Sequence, residues 1–158
     1  MLTLAGSEKK GLKVSDWLGI LNFGFFLILV GTIWIITPNF TNEITYFFND
    51  FSLKNVTENI VFPAPEHNHP NLYTAAMQFC FVFGAFQIAI LALRFVFHEP
   101  LSKKADAIAG IVFCFAVGFF LSMLANEIIS WFGFIAGLII SVGLLIITSS
   151  IIKLLRKA

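Results

Sequence analysis

Residues 105–153 read ADAIAGIVFCFAVGFFLSMLANEIISWFGFIAGLIISVGLLIITSSIIK. Apart from Asp106 and Lys153 near its two ends, the run's one strongly polar interruption is Asn126-Glu127, which divides it into two stretches of about 20 residues or more. A helix of about 20 apolar residues crosses roughly 30 Å of hydrocarbon. The reading is therefore two membrane-spanning helices folded back at a turn. Small residues recur at every fourth position. Gly110, Cys114, Gly118, Ser122 and Asn126 do so in the first helix, and Gly133, Gly137 and Ser141 in the second. Residues four apart share a helix face. Lipid is as apolar as leucine, so helices in a bilayer associate where small side chains let backbones approach. The two strips are expected to pack face to face. Such a strip is a packing signal and carries no chemistry.

The rest of the chain fits the same solvent. Its 158 residues are 58 % hydrophobic and 12 % charged. Soluble domains carry about twice that share of charge. A single membrane domain over residues 1–158 is expected. A net charge of +1 with no basic patch away from the membrane flanks excludes a nucleic-acid surface. Two cysteines inside apolar runs, Cys80 and Cys114, exclude a disulfide framework and a CxxC pair.

The expected fold class is all-α, a four-transmembrane-helix bundle with a short amphipathic helix in the first extracytoplasmic loop. The spans fall at about 17–37, 70–98, 105–125 and 128–152. The first is too long for the apolar core of a signal peptide and is expected to be retained. The second, at about 1.5 Å per residue, is about 43 Å long and must tilt or protrude. Its Ala85, Ala89 and Ala92 give it a small-residue face. Residues 38–69 form the only sizeable polar loop. Within it Ile44, Phe47, Phe48 and Phe51 follow helical spacing, with Thr41 as N-cap and Glu43 in the first turn. This acidic helix should pack on the bundle or on a partner subunit. Pro63 and Pro65 make the following segment extended, and Pro70 suits the first position of a helix. Ser102 is the expected cap of the third span, and Glu127 is expected at the start of the fourth, where the helix dipole favours an acid.

Charge gives the orientation. Lys9, Lys10, Lys13, Arg94, Lys103, Lys104, Lys153, Arg156 and Lys157 all fall on one side if four helices cross, leaving only Lys54 on the other. Cytoplasmic loops carry the excess of Lys and Arg. Both termini are expected in the cytoplasm, with Arg94 as a snorkelling anchor.

Candidate sites are few. Glu66, His67 and His69 are metal-ligand types on the extracytoplasmic loop. Alternate residues of an extended segment point the same way, so the two imidazoles can grip Cu²⁺ or Zn²⁺. Glu127, at the turn on the same side, is a further ligand in that reading. The other reading is a solvated loop in which His69 begins the second span. Asn39-Phe40-Thr41 and Asn55-Val56-Thr57 are N-glycosylation sequons, with Asn55 farther from the membrane. Asn22, Gln78 and Gln87 lie inside spans, where an unsatisfied amide is costly, and are expected to face other helices. No Asp, Glu, Lys or Arg sits near a span's midplane, which argues against a proton relay. No nucleophile elbow, P-loop, GxGxxG or HExxH pattern appears.

Three functions remain open. The first is a non-catalytic accessory or structural subunit of a larger membrane complex, contacting lipid and protein partners. The second is an extracytoplasmic metal-binding (Cu or Zn) membrane protein or enzyme subunit. The third is a homo-oligomeric channel for a small solute. A chemical site, if present, is expected where the Asn126-Glu127 turn meets the Glu66–His69 segment.

Overall fold

The computed structural model describes residues 14–57 and 60–155. Lys9, Lys10, Lys13, Arg156 and Lys157 lie outside the described residues. The elements in order are α1 (Val14–Ile36), α2 (Phe40–Asn49), β1 (Phe51–Thr57), β2 (Ile60–Pro65), α3 (Pro70–Val96), α4 (Leu101–Ala125) and α5 (Trp131–Leu155). Four of the helices are long and apolar enough to cross a membrane, at Asp16–Ile36, Pro70–Val96, Leu101–Ala125 and Trp131–Leu154. The chain is an all-α, multi-pass integral membrane protein whose only sheet among the described residues is a two-stranded hairpin.

The helices neighbour one another in the order α1–α3–α4–α5, with α3 and α4 packed most extensively. That central pair is antiparallel and is locked by a reciprocal contact. A Cβ placed on Gly84 would lie 3.2 Å from the Cβ of Cys114, and one on Gly118 would lie 3.3 Å from the Cβ of Cys80. Phe115 covers Gly84, Phe81 covers Gly118, and the two rings lie 5.9 Å apart. The cause is a repeat in the sequence, FCFVFGAF at 79–86 and FCFAVGFF at 113–120. Two copies of a Cys-x-x-x-Gly step on antiparallel helices place each cysteine beside the other helix's glycine.

The small-residue strips of α4 and α5 therefore do not face each other as expected. Gly118 and Cys114 look toward α3. Gly137 of α5 instead receives the ring of Phe120, to which an added Cβ would come within 2.5 Å. Ser141 is fully buried and donates its hydroxyl to the Gly137 carbonyl at 2.8 Å. Gly110 has no atom within 4 Å of where its Cβ would stand, and Gly133 meets only its own preceding turn. The reason is position: α4 lies between α3 and α5, so one row of small residues serves one neighbour only.

Both ends of the α3–α4 unit close in the same way. Glu99 N–H donates to the Arg94 carbonyl and His98 N–H to that of Phe95, with His98 at φ 51°. Ile128 N–H donates to the Met123 carbonyl and Glu127 N–H to that of Leu124, with Glu127 at φ 58°. These are Schellman closures, whose left-handed position normally takes glycine. Glu127 thus ends α4 and does not begin α5. Helix α5 starts three residues later than expected, where the Ser130 hydroxyl accepts the Gly133 N–H at 3.3 Å. Helix α4 likewise starts at Leu101 on Pro100, whose carbonyl accepts from Lys103, so Ser102 is not its cap. Asn39, in left-handed conformation, takes the N-cap position of α2 in place of Thr41. Arg94 is more than an anchor. Its guanidinium pairs with the buried Glu99 at 3.1 Å and bonds the Lys103 carbonyl at 3.2 Å, closing the α3–α4 connector.

Candidate functional site

The polar machinery gathers at the end of the bundle formed by α2, the hairpin and the α4–α5 turn. Helix α2 enters the core through Phe47, whose ring meets Phe51, His69, Tyr73 and Trp131 at 5.0–6.2 Å. Its neighbour Phe48 is 71 % exposed, so only part of the expected apolar face packs inward. Asp50 caps the C-terminus of α2, its N–H donating to the Tyr46 carbonyl.

The β-hairpin that follows was not legible as strand. Its register pairs Phe51 with Pro65 and Lys54 with Phe62. Pro63 and Pro65 are tolerated because, in a two-stranded ribbon, each strand is an edge. This register sets the site. The residue before Phe51 must lie opposite the residue after Pro65, and Glu66 N–H donates to the Asp50 carbonyl at 3.0 Å. Asp50 is thereby carried to the histidine segment.

Both histidines close on that one carboxylate. His67 N–H donates to Asp50 Oδ2 at 2.7 Å, and the His67 ring Nδ1 lies 2.6 Å from Oδ1. His69 Nε2 lies 3.0 Å from Oδ2. His69 is buried against Phe47 and Tyr73, and its carbonyl accepts the Tyr73 N–H in the first turn of α3. His67 reaches water. The donors around Asp50, His67 first, hold its carboxyl well below the usual carboxylate range. The Asp50 carboxylate in turn raises the His67 imidazole above its ordinary value.

Of the expected metal-ligand residues, Glu66 and His67 lie together with Asp50, each offering a ligand atom within 4.8 Å of the others. His69 touches the same carboxylate from its buried side. Glu127 is held elsewhere, accepting from Asn68 Nδ2 at 2.7 Å. That bond fastens the histidine segment to the α4–α5 turn. A cleft of about 330 Å³ opens there, between His67, Asn68, Glu127 and Trp131. A second, of about 370 Å³, is lined by Glu43, Tyr46, Asn49, Asp50, His67 and His69. Asn71 donates to Glu43 at its edge, at 3.1 Å.

Sequence reasoning missed Asp50, which holds the centre of the cluster. The available signal was its distance in strand register from Glu66, but that requires knowing that residues 51–65 form a hairpin. Asn39 and Asn55 are both exposed, the first between α1 and α2 and the second in β1. Within the spans, Gln87 is half-buried and Asn22 has its carbonyl oxygen buried without a partner. Gln78, contrary to expectation, is exposed on the outside of α3. In comparisons with known proteins, no family model, no curated protein and no solved structure matches this chain.

Proposed function

We propose that this protein is a non-catalytic subunit of a larger membrane assembly, and that α3 is the helix that receives a partner's transmembrane helix. The observation that carries this is a seam on α3. Gln78, Val82, Ala85, Ala89, Ala92 and Val96 are all exposed. Their spacing alternates four and three, the seven-residue repeat by which one helix packs along another. The seam combines three alanines, which permit close backbone approach, with an amide that finds no partner among the described residues. In hydrocarbon such an amide is favourable only when another helix bonds it, at about 0.6–2 kcal/mol. Lipid alone explains the exposed leucines and isoleucines of α1 and α5; it does not explain Gln78.

The other end of the molecule supports the same reading. Tyr46, Phe48, Leu53 and Val61 expose half or more of their surface on α2 and the hairpin. These elements lie beyond the helix ends, so a protein neighbour is the natural cover for them. We place that end outside the cytoplasm and both termini inside, on the charge bias of the loops. In a glycosylating host, an N-glycan on Asn55, removed by Asn55→Gln, reports that orientation. A C-terminal reporter reached from outside contradicts it.

Native gel electrophoresis of solubilised membranes tests the assembly. Wild type migrates well above the mass of one chain, and Gln78→Leu shifts to the single-chain position. Wild type that migrates only as a free monomer overturns the proposal. A band of two to four chains with no other protein in it identifies the partner helix as a second copy.

A further inference from the structure

We propose that Asp50, Glu66 and His67 form a three-ligand site for a divalent transition ion, Zn²⁺ or Cu²⁺, with His69 as a positioning residue behind it. The inference is independent of the α3 seam.

The division of labour lies in the two oxygens of Asp50. Oδ2 already accepts from the His67 backbone N–H at 2.7 Å and from His69 Nε2 at 3.0 Å. Oδ1 has one partner, the His67 Nδ1 at 2.6 Å. An imidazole nitrogen and a carboxylate oxygen are both metal-ligand atoms, and here they face each other. Glu66 brings a second carboxylate within 4.8 Å of both. One imidazole and two carboxylates, with the remaining positions left to water, is a donor set that suits Zn²⁺ and Cu²⁺. Mg²⁺ and Ca²⁺ ask for oxygen donors in larger number and gain little from an imidazole.

The frame is rigid where it must be and loose where it helps. The Phe51–Pro65 register and the Glu66-to-Asp50 backbone bond fix two ligands across the ribbon. The Asp50 side chain is only 14 % exposed, whereas that of His67 is 77 % exposed. Donor atoms around one tetrahedral ion with bonds of about 2.0–2.2 Å lie roughly 3.3 Å apart. The Oδ1–Nδ1 contact therefore opens by less than about 1 Å, and the exposed His67 ring is free to make that movement. His69 is buried and stays on Oδ2, a placement typical of groups that orient a ligating carboxylate. Lys54, the cation of the hairpin, donates to the Pro65 carbonyl at 3.2 Å and forms no ion pair with either carboxylate, although its charge is felt at His67.

The test uses the full chain in detergent, without a polyhistidine tag and stripped with chelator. Titration calorimetry with Zn²⁺ and with Cu²⁺ gives one ion per chain, and Mg²⁺ gives no heat. His67→Ala and Glu66→Gln each weaken binding at least tenfold. His69→Ala weakens it about 10–100-fold while keeping the same ligands. Electron paramagnetic resonance of the Cu²⁺ form resolves the roles. The spectrum shows coupling to one imidazole nitrogen, which persists in His69→Ala and disappears in His67→Ala. Absence of binding to wild type, or equal affinity in His67→Ala, overturns the site. Coupling to two nitrogens places His69 on the metal and overturns its assigned role. The wild-type spectrum decides this even if a variant fails to fold.

Discussion

Three residues in this chain do work that their type does not advertise. His98 and Glu127 occupy left-handed positions that usually hold glycine, at a cost of roughly 1–2 kcal/mol for a residue with a side chain. The two differ in what they gain. Glu127 accepts the Asn68 amide at 2.7 Å; the His98 side chain is exposed. His98→Gly should therefore raise stability by about 0.5–1 kcal/mol after the entropy of the added glycine is subtracted. Glu127→Gly should come out near neutral, because the lost hydrogen bond is worth about 1 kcal/mol. Thermal unfolding of the two variants in one detergent checks the difference. The third residue is Asp50. Its lowered pKa makes its contribution present above the ordinary carboxylate value of about 3.9 and lost as the pH falls below that. The raised pKa of His67 works in the opposite sense, present below about 6.5 and lost as the pH rises through the elevated value. Metal-free protein should hold the hairpin to α3 most firmly between about pH 4 and 6.5. A nuclear magnetic resonance titration should place the His67 ring above 6.5 in wild type and lower it in Asp50→Asn. An unchanged midpoint contradicts the Asp50–His67 pair.

At the scale of elements, glycine position decides which helix contacts are tight. Gly137 has the Phe120 ring where its Cβ would be, so Gly137→Ala forces a repacking that costs about 1–3 kcal/mol. Gly143 has open space, and Gly143→Ala should stabilise by about 0.5–1 kcal/mol through helix propensity alone. Equal effects of the two substitutions in denaturant titrations would mean that α4 and α5 do not pack as described. The four spans were readable in the sequence because an apolar run of this length has one common explanation. The partners of the small-residue strips were not, because spacing gives the face of a helix but not its neighbour. The repeated FCFxxGxF segment was the missing clue, since on antiparallel helices it pairs each Cys with the other copy's Gly. The hairpin was hidden for a different reason. Its two prolines and its exposed apolar residues resemble a loop, and only the cross-chain register defines it. The histidine segment was visible as a site, but its central acid was not, because Asp50 stands 16 to 19 positions before the groups it joins.

For the whole molecule, the helix order α1–α3–α4–α5 leaves one face of α3 open along its length. An amide and three alanines on that face distinguish it from the leucine- and isoleucine-rich surfaces that lipid covers. On the reading proposed above, a partner helix bonds Gln78 on this face. Photo-crosslinking in native membranes tests it most directly, with a photoreactive amino acid at position 89 on the seam or at position 140 on the exposed face of α5. The account predicts a discrete protein adduct from position 89 and lipid adducts alone from position 140. Lipid adducts alone from both positions would contradict it.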